Sequence, residues 1–269
     1  MVAILGLLKA NFKTSTRYSI DWWGSIISPL FTILPSALIV FYSSKRGILP
    51  LNLFNIKSIY DYIKYMLIGV CYWGYVEVLW STIFMLRDYM KIGQFEDIFA
   101  SPLKASQNIL GWSIMGISRV TIESLPLIFI TVFINIVNIS LINFILIICT
   151  FIVSILASFG MTFIIFGITL IFKDGDQLAS LIGNSAPFLC GLYFPVTLLP
   201  LGLKQISYVF PFTWGIDIIR NLLLNTNTIL NFKYEFILLF VFSLIYITFG
   251  IIIYKKLEFK ARKIGVKGF

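Results

Sequence analysis

Charged positions in this chain fall into clusters, and the runs between them are long and almost wholly apolar. A helix needs about 20 apolar residues to cross roughly 30 Å of hydrocarbon, so charge gaps locate candidate spans. No charge occurs between Asp21 and Lys45, which predicts a first span over Trp22–Tyr42. Between Lys64 and Arg87 only Glu77 is charged, giving a second. From Lys104 to Lys173 only Arg119 and Glu123 are charged. That stretch accommodates a third and a fourth span, with NIVNISLIN (Asn135–Asn143) as the polar turn between them. The fifth lies between Asp176 and Lys204, and the sixth between Glu235 and Lys255. The pattern predicts an all-α integral membrane protein with six transmembrane helices.

Three segments break this pattern. The N-terminus, residues 1–20, has Leu5, Leu8 and Phe12 on one helical face and Lys9, Lys13 and Arg17 on another. Such a helix lies in the headgroup layer with its basic stripe towards anionic lipid, or is a frayed leader. The second, within residues 91–104, reads GQFEDIFASPLK from Gly93 to Lys104. Ile92, Phe95, Phe99 and Leu103 form an apolar stripe with Ile98 beside it, Gln94, Glu96 and Asp97 lie opposite, and Pro102 discourages continuation. Roughly three turns of surface helix are too short to cross. The stripe must rest on lipid, on its own bundle or on a partner. The third is GLYFPVTLLPLGLKQISYVFPFTWGIDIIRNLLL, where Pro195, Pro200 and Pro211 cut an apolar stretch into pieces too short to span. Pro200 and Pro211 suit helix starts. Two short apolar helices over 198–225 predict either a re-entrant hairpin entering from the outer face or an interfacial loop.

Composition agrees with the membrane reading. Of 269 residues 59% are hydrophobic and 12% charged, against about 25% charged in soluble domains. The chain therefore reads as one membrane domain, 1–269. The net charge of +9 would point to nucleic acid in a soluble protein; here orientation explains it, and no nucleic-acid partner is expected. With the N-terminus inside, thirteen cations are cytoplasmic: Lys9, Lys13, Arg17, Arg87, Lys91, Lys104, Lys173, Lys255, Lys256, Lys260, Arg262, Lys263 and Lys267. Seven lie outside (Lys45, Arg46, Lys57, Lys64, Lys204, Arg220 and Lys233), and Arg119 within the membrane completes the 21. Both termini are therefore expected in the cytoplasm. The first apolar run is too long for a signal core and lacks a small-residue cleavage site. Trp22, Trp23, Tyr42, Tyr62, Tyr65 and Tyr254 fall near expected interfaces, as an aromatic belt would. Asn138-Ile-Ser140 is a sequon on the outer side.

Histidine is absent, and Cys71, Cys149 and Cys190 are isolated in apolar runs. That excludes a disulfide framework and the usual metal spacings. No nucleotide loop, no G-x-S-x-G and no clustered carboxylates occur, so an enzyme, a bound cofactor and a metal site are not expected in this chain. Charges inside spans cost at least about 2.5–3.5 kcal/mol each at mid-bilayer. Glu77, Arg119 and Glu123 are predicted to form an interior cluster, either a satisfied pair fixing two helices or part of a gate. Ser154, Ser158, Thr162, Asn184 and Ser185 are either helix-packing residues or path-lining groups.

Together these features resemble the ABC type-2 exporter permeases, and the resemblance covers essentially the whole chain. One carrier is the G-x-x-E/D-x-x-x-A-S-P stretch, here Gly93, Glu96, Asp97, Ala100, Ser101 and Pro102. The other is the series Gly191, Phe194, Pro195, Leu199, Pro200, Pro211, Phe212, Thr213, Asp217 and Arg220. The resemblance implies the transmembrane subunit of an ATP-driven exporter in the cell membrane, moving a drug, lipid or glycan outward. It implies a half-transporter that dimerises with itself or a related permease, with ATP and Mg held by a separate ABC ATPase. Residues 91–104 would be the coupling helix that docks on that ATPase, through Phe95, Glu96, Asp97, Phe99, Ser101 and Pro102. The 198–225 hairpin, with Gly191, Phe194, Pro195, Pro200, Pro211, Asp217 and Arg220, would close the outer end of the pathway. The alternative is an ion-coupled secondary transporter using Glu77 or Glu123.

Overall fold

The computed structural model describes residues 59–93, 105–133, 140–172 and 175–264, together with residues 24, 27, 31, 33–35, 38 and 41–43. Seven α-helices follow one another in the continuous parts: α1 (Ile59–Ile92), α2 (Ala105–Phe133), α3 (Leu141–Phe172), α4 (Gly175–Leu189), α5 (Leu201–Val209), α6 (Pro211–Leu224) and α7 (Phe232–Ile264), with a 3-10 turn at Val196–Leu198 before α5. No strand occurs among the described residues. The scattered positions between 24 and 43 are helical too, and Ile33 packs against Tyr62, Tyr65 and Met66 of α1.

Local chemistry sets the helix ends. α1 carries Asp61 in its first turn and Lys91 in its last, each matching the helix dipole. Gly93 ends it with φ +79, the left-handed conformation a glycine adopts without a Cβ penalty. Ser140 Oγ accepts the Asn143 N–H at 3.2 Å and starts α3. The polar turn predicted over Asn135–Asn143 thus gives way to helix at Leu141, because Ser140 caps it; residues 134–139, with the sequon asparagine, lie outside the described residues. Asn231 Oδ1 accepts the Lys233 N–H at 3.2 Å at the start of α7.

Three of these helices are long and apolar enough to cross a membrane: Asp61–Ile92, Leu141–Phe172 and Phe232–Ala261. The stripe Leu141, Ile145, Ile148, Ile152 and Leu156 on α3 is exposed, as are Ile237, Phe240, Val241, Leu244 and Ile245 on α7. Such surfaces suit a hydrocarbon surrounding. α4, inside the predicted fifth span, is 15 residues long. At 1.5 Å per residue that is about 22 Å, less than the hydrocarbon thickness.

α1 is the hub, packed against α2, α3, α4 and α6. Its Trp73 and Trp80 meet edge-to-face at 5.6 Å between ring centroids, and Phe212 of α6 meets both. α3 and α7 approach through glycines: a Cβ on Gly160 would strike the Tyr246 backbone, and one on Gly250 would strike Gly160. Small residues at a contact let helix backbones touch, the usual solution where lipid removes the hydrophobic drive. The hydroxyls of Thr150, Ser154, Thr162 and Thr169 donate to the carbonyls four residues back. Ser154, Ser158 and Thr162 are buried, which favours packing over path lining for these three.

Tyr62, Tyr65 and Tyr254 are not a belt. All three are buried, because each has a partner inside the protein. Tyr62 Oη donates to the Tyr193 carbonyl at 3.1 Å and Tyr65 Oη to that of Gly191 at 3.4 Å. The Tyr254 ring packs on Phe163 and Phe166. Tyr42 remains exposed.

Candidate functional site

The broken stretch after α4 organises around one side chain. Arg220, in α6, is 2% exposed. Its Nη1 donates to Gly191 O at 2.5 Å and its Nη2 to Leu192 O at 2.7 Å. Nε and Nη2 also reach Tyr65 O at 3.3 and 3.2 Å, and the guanidinium lies 3.3 Å from the centre of the Tyr65 ring. A helix end leaves carbonyls without partners, and cations near a C-terminus satisfy them. Arg220 does this just past α4 while fastening α6 to α1. Only a planar fork with several donors can serve three carbonyls and a ring face at once. Gly69 makes room for it, since a Cβ there would lie 2.5 Å from Nη2.

Gly191 takes φ +81, and a Cβ on it would meet Val196 Cγ2 at 2.8 Å. The chain turns there into the short Val196–Leu198 helix. Pro195 caps that helix, Pro200 caps α5, and Pro211 opens α6 as its first residue. The α5–α6 corner at Phe210 is closed by its own side chains. Thr213 Oγ1 donates to Ser207 O at 2.7 Å, and Trp214 Nε1 to Tyr208 O at 3.1 Å, with the Tyr208 and Trp214 rings stacked at 5.2 Å. Phe212 is buried in the main core. Asn225, with φ 53, ends α6.

Asp217 and Arg220 share a helix but not an ion pair. Asp217 Oδ2 accepts the Ile229 N–H at 2.9 Å, and Glu235 Oε1 accepts the Leu230 N–H at 2.8 Å. Two carboxylates therefore hold the turn joining α6 to α7. A cavity of about 150 Å³ lies beneath it, lined by Tyr65, Thr213, Asp217, Arg220, Thr226 and Ile229 among others.

The predicted cluster of Glu77, Arg119 and Glu123 forms only in part. Arg119 Nε donates to Glu123 Oε1 at 2.6 Å, one turn along α2. Glu77 is exposed on α1 and has no cation within ion-pair distance among the described residues. The cause is the α1–α2 register. Gly74 faces Val120 and Gly116 faces Val78, while Tyr75 Oη bonds Thr121 and Ser124. Glu77 points off that contact, on the face shared with Trp73, Trp80 and Phe84. The Trp73 side chain lies beside its carboxylate. Beyond α4, Tyr193 lies near enough to Glu77 to interact with it electrostatically. The Tyr193 ring meets Phe188 at 4.8 Å.

On α4 the exposed face mixes Gln177, Ser180, Asn184 and Ser185 with Leu178, Leu181 and Phe188. Asn184 Nδ2 donates to Ser180 Oγ and Ser185 Oγ to Leu181 O. Asn184 and Ser185 therefore part company with the buried hydroxyls of α3.

No family model matches the chain, and no curated protein matches it.

Phe95, Glu96, Asp97, Phe99, Ser101 and Pro102, with residues 1–20, lie outside the described residues. Tyr65, Tyr193 and Glu235 are the site residues that sequence reading missed as such. Tyr65 looked like an interface aromatic and Glu235 like the edge of a span. Tyr65 carries no local signal for burial, because its Arg220 partner stands 155 residues off, while Glu235 meets the Leu230 N–H only through the turn before α7.

Proposed function

We propose that this chain is the transmembrane permease subunit of an ATP-binding-cassette exporter, with six spans and a re-entrant α5–α6 hairpin. It moves an amphiphilic drug, lipid or glycan outward in the cell membrane as a homodimer or paired with a related permease. One observation carries the reading. The residues of the resemblance, from Gly191 to Arg220, meet in one assembly in which Arg220 ties the end of α4 to α1 and α6. Two short helices held this firmly between long apolar ones suit a gate that must keep its shape while larger elements move. The mixed polar face of α4 supports the reading too, since polar side chains on a bundle's surface belong against water or protein rather than lipid.

In this reading ATP and Mg are bound by a separate ATPase. Its closure on ATP moves the segment 91–104, and the paired permeases pass from inward- to outward-open. ATP drives the change only through its different affinity for the two states.

The test is a mild-detergent pull-down of the tagged chain, with bound proteins identified by mass spectrometry and ATP hydrolysis assayed in nanodiscs. The expected result is a stoichiometric soluble ATPase that is lost when Glu96→Lys and Asp97→Lys are combined, with insertion unchanged. A folded chain with no ATPase overturns the reading. The ion-coupled transporter is then favoured by a specific observation, a Glu77 carboxylate on a membrane-length helix with no ion pair among the described residues. Loss of ion-driven uptake in Glu77→Gln would establish it.

A further inference from the structure

Glu77 is an acidic group of a membrane-length helix with no cation within ion-pair distance among the described residues. It stands near the middle of α1, Ile59–Ile92. Arg119 is committed to Glu123 and Arg220 to backbone carbonyls. A carboxylate held at that depth needs water or a positive charge, and no described side chain pairs with it.

Its surroundings decide which kind. Trp80 meets Gly183 and Gly69 meets Leu192, so the Glu77 level of α1 faces the stretch of α4 containing Asn184, Ser185 and Phe188. Trp73 lies beside the carboxylate, and Tyr193 is close enough to feel its charge while packing on Phe188. Phe188 is 53% exposed, and Asn184 and Ser185 are exposed and uncharged. Aromatic faces beside a carboxylate attract an organic cation through both charge and ring quadrupole. The same carboxylate repels an anionic lipid. A bare metal ion wants several oxygens rather than one carboxylate among rings. A glycan would leave the charge unanswered.

We infer that Glu77, with Trp73, Phe188 and Tyr193, forms a recognition site for an amphiphilic organic cation on the shared face of α1 and α4. The inference rests on the permease reading for its consequence, that the exported substrate carries a positive charge on an aromatic or aliphatic body. Asn184 and Ser185 supply neutral polar contacts around it.

The experiment uses the full chain in lipid nanodiscs and three probes: radiolabelled tetraphenylphosphonium, the neutral triphenylphosphine oxide and the anionic tetraphenylborate. Binding to empty nanodiscs is subtracted. Saturable binding of the cation is expected at least about tenfold tighter than that of the neutral probe. Glu77→Gln, an isosteric change, should remove that preference and leave the neutral probe unaffected, while Glu77→Asp retains most of it. Phe188→Leu should weaken cation binding about threefold. Circular dichroism and gel-filtration profiles of each variant establish that it is folded. Equal cation affinity in the wild type and Glu77→Gln, or no preference for the cation, overturns the site. Cation selectivity in a chain that recovers no ATPase keeps the site and removes the permease. An ATPase-coupled complex without cation selectivity removes the site alone.

Discussion

Two arginines of this chain meet the same problem, a permanent charge in apolar surroundings, in opposite ways. Arg220 is wholly buried and spends its donors on distant backbone, at Tyr65, Gly191 and Leu192. Arg119 stays partly exposed, with 40% of its side chain accessible, and is neutralised by Glu123 four residues on. The first is a tertiary fastener and the second a local cancellation. Only the first makes the arrangement of three chain segments depend on one side chain. The second stays within α2, while the α1–α2 register keeps Glu77 apart from it.

This contrast predicts a hierarchy of effects. The largest belongs to Arg220→Gln, which strands the carbonyls beyond α4 and should cost at least about 3 kcal/mol. Arg220→Lys should recover little, since one ammonium cannot reproduce the fork. Unfolding midpoints in detergent measure this; a lysine variant as stable as the wild type would mean that charge alone, without the fork, holds the hub.

Next comes a contact free of charge. Gly160→Leu forces α3 from α7 and should cost about 1–3 kcal/mol by overpacking. It should leave the α5–α6 corner intact, which a disulfide trap between cysteines placed at 207 and 213 would report. A corner that opens in this variant would show that the two regions are not independent.

Asp217→Asn keeps an acceptor for Ile229 but loses the charge, at about 1 kcal/mol. Hydrogen exchange should quicken at Ile229 and its neighbours while Arg220's partners stay protected. Quickening throughout α4 instead would tie Asp217 to the hub.

The smallest effect belongs to the local pair. Replacing Arg119 and Glu123 together by glutamine should change stability by less than about 1 kcal/mol, because two mutually neutralising charges leave together. Glu77→Gln should not destabilise the chain at all, since it removes an unpaired charge. A sharp loss in either would give the α1–α2 side the structural weight assigned here to Arg220.

How far the sequence could be read follows from the range of each interaction. Pro200 and Pro211 mark the starts of α5 and α6 because proline's preferences are local. Glu123 one turn after Arg119 is a pair visible in the spacing alone. Depth groups Glu77 with them, but depth leaves rotation about the helix axis open, and the Gly74–Val120 contact turns Glu77 away. The Asp217–Arg220 spacing also resembles an ion pair, yet each found a backbone partner instead. Tyr65 shows the limit most plainly: an aromatic beside lysine reads as interface, and its burial depends on an arginine 155 residues away.

By itself, then, the sequence determined the helical content, the long apolar segments and the proline-bounded break, since hydrophobic periodicity and backbone restrictions act within a few residues. Tertiary structure alone decided which polar groups of separate helices meet. That choice depends on helix rotation and close backbone approach, set by glycines such as Gly69, Gly160 and Gly250, and resolved only when separate helices compete for the same donors.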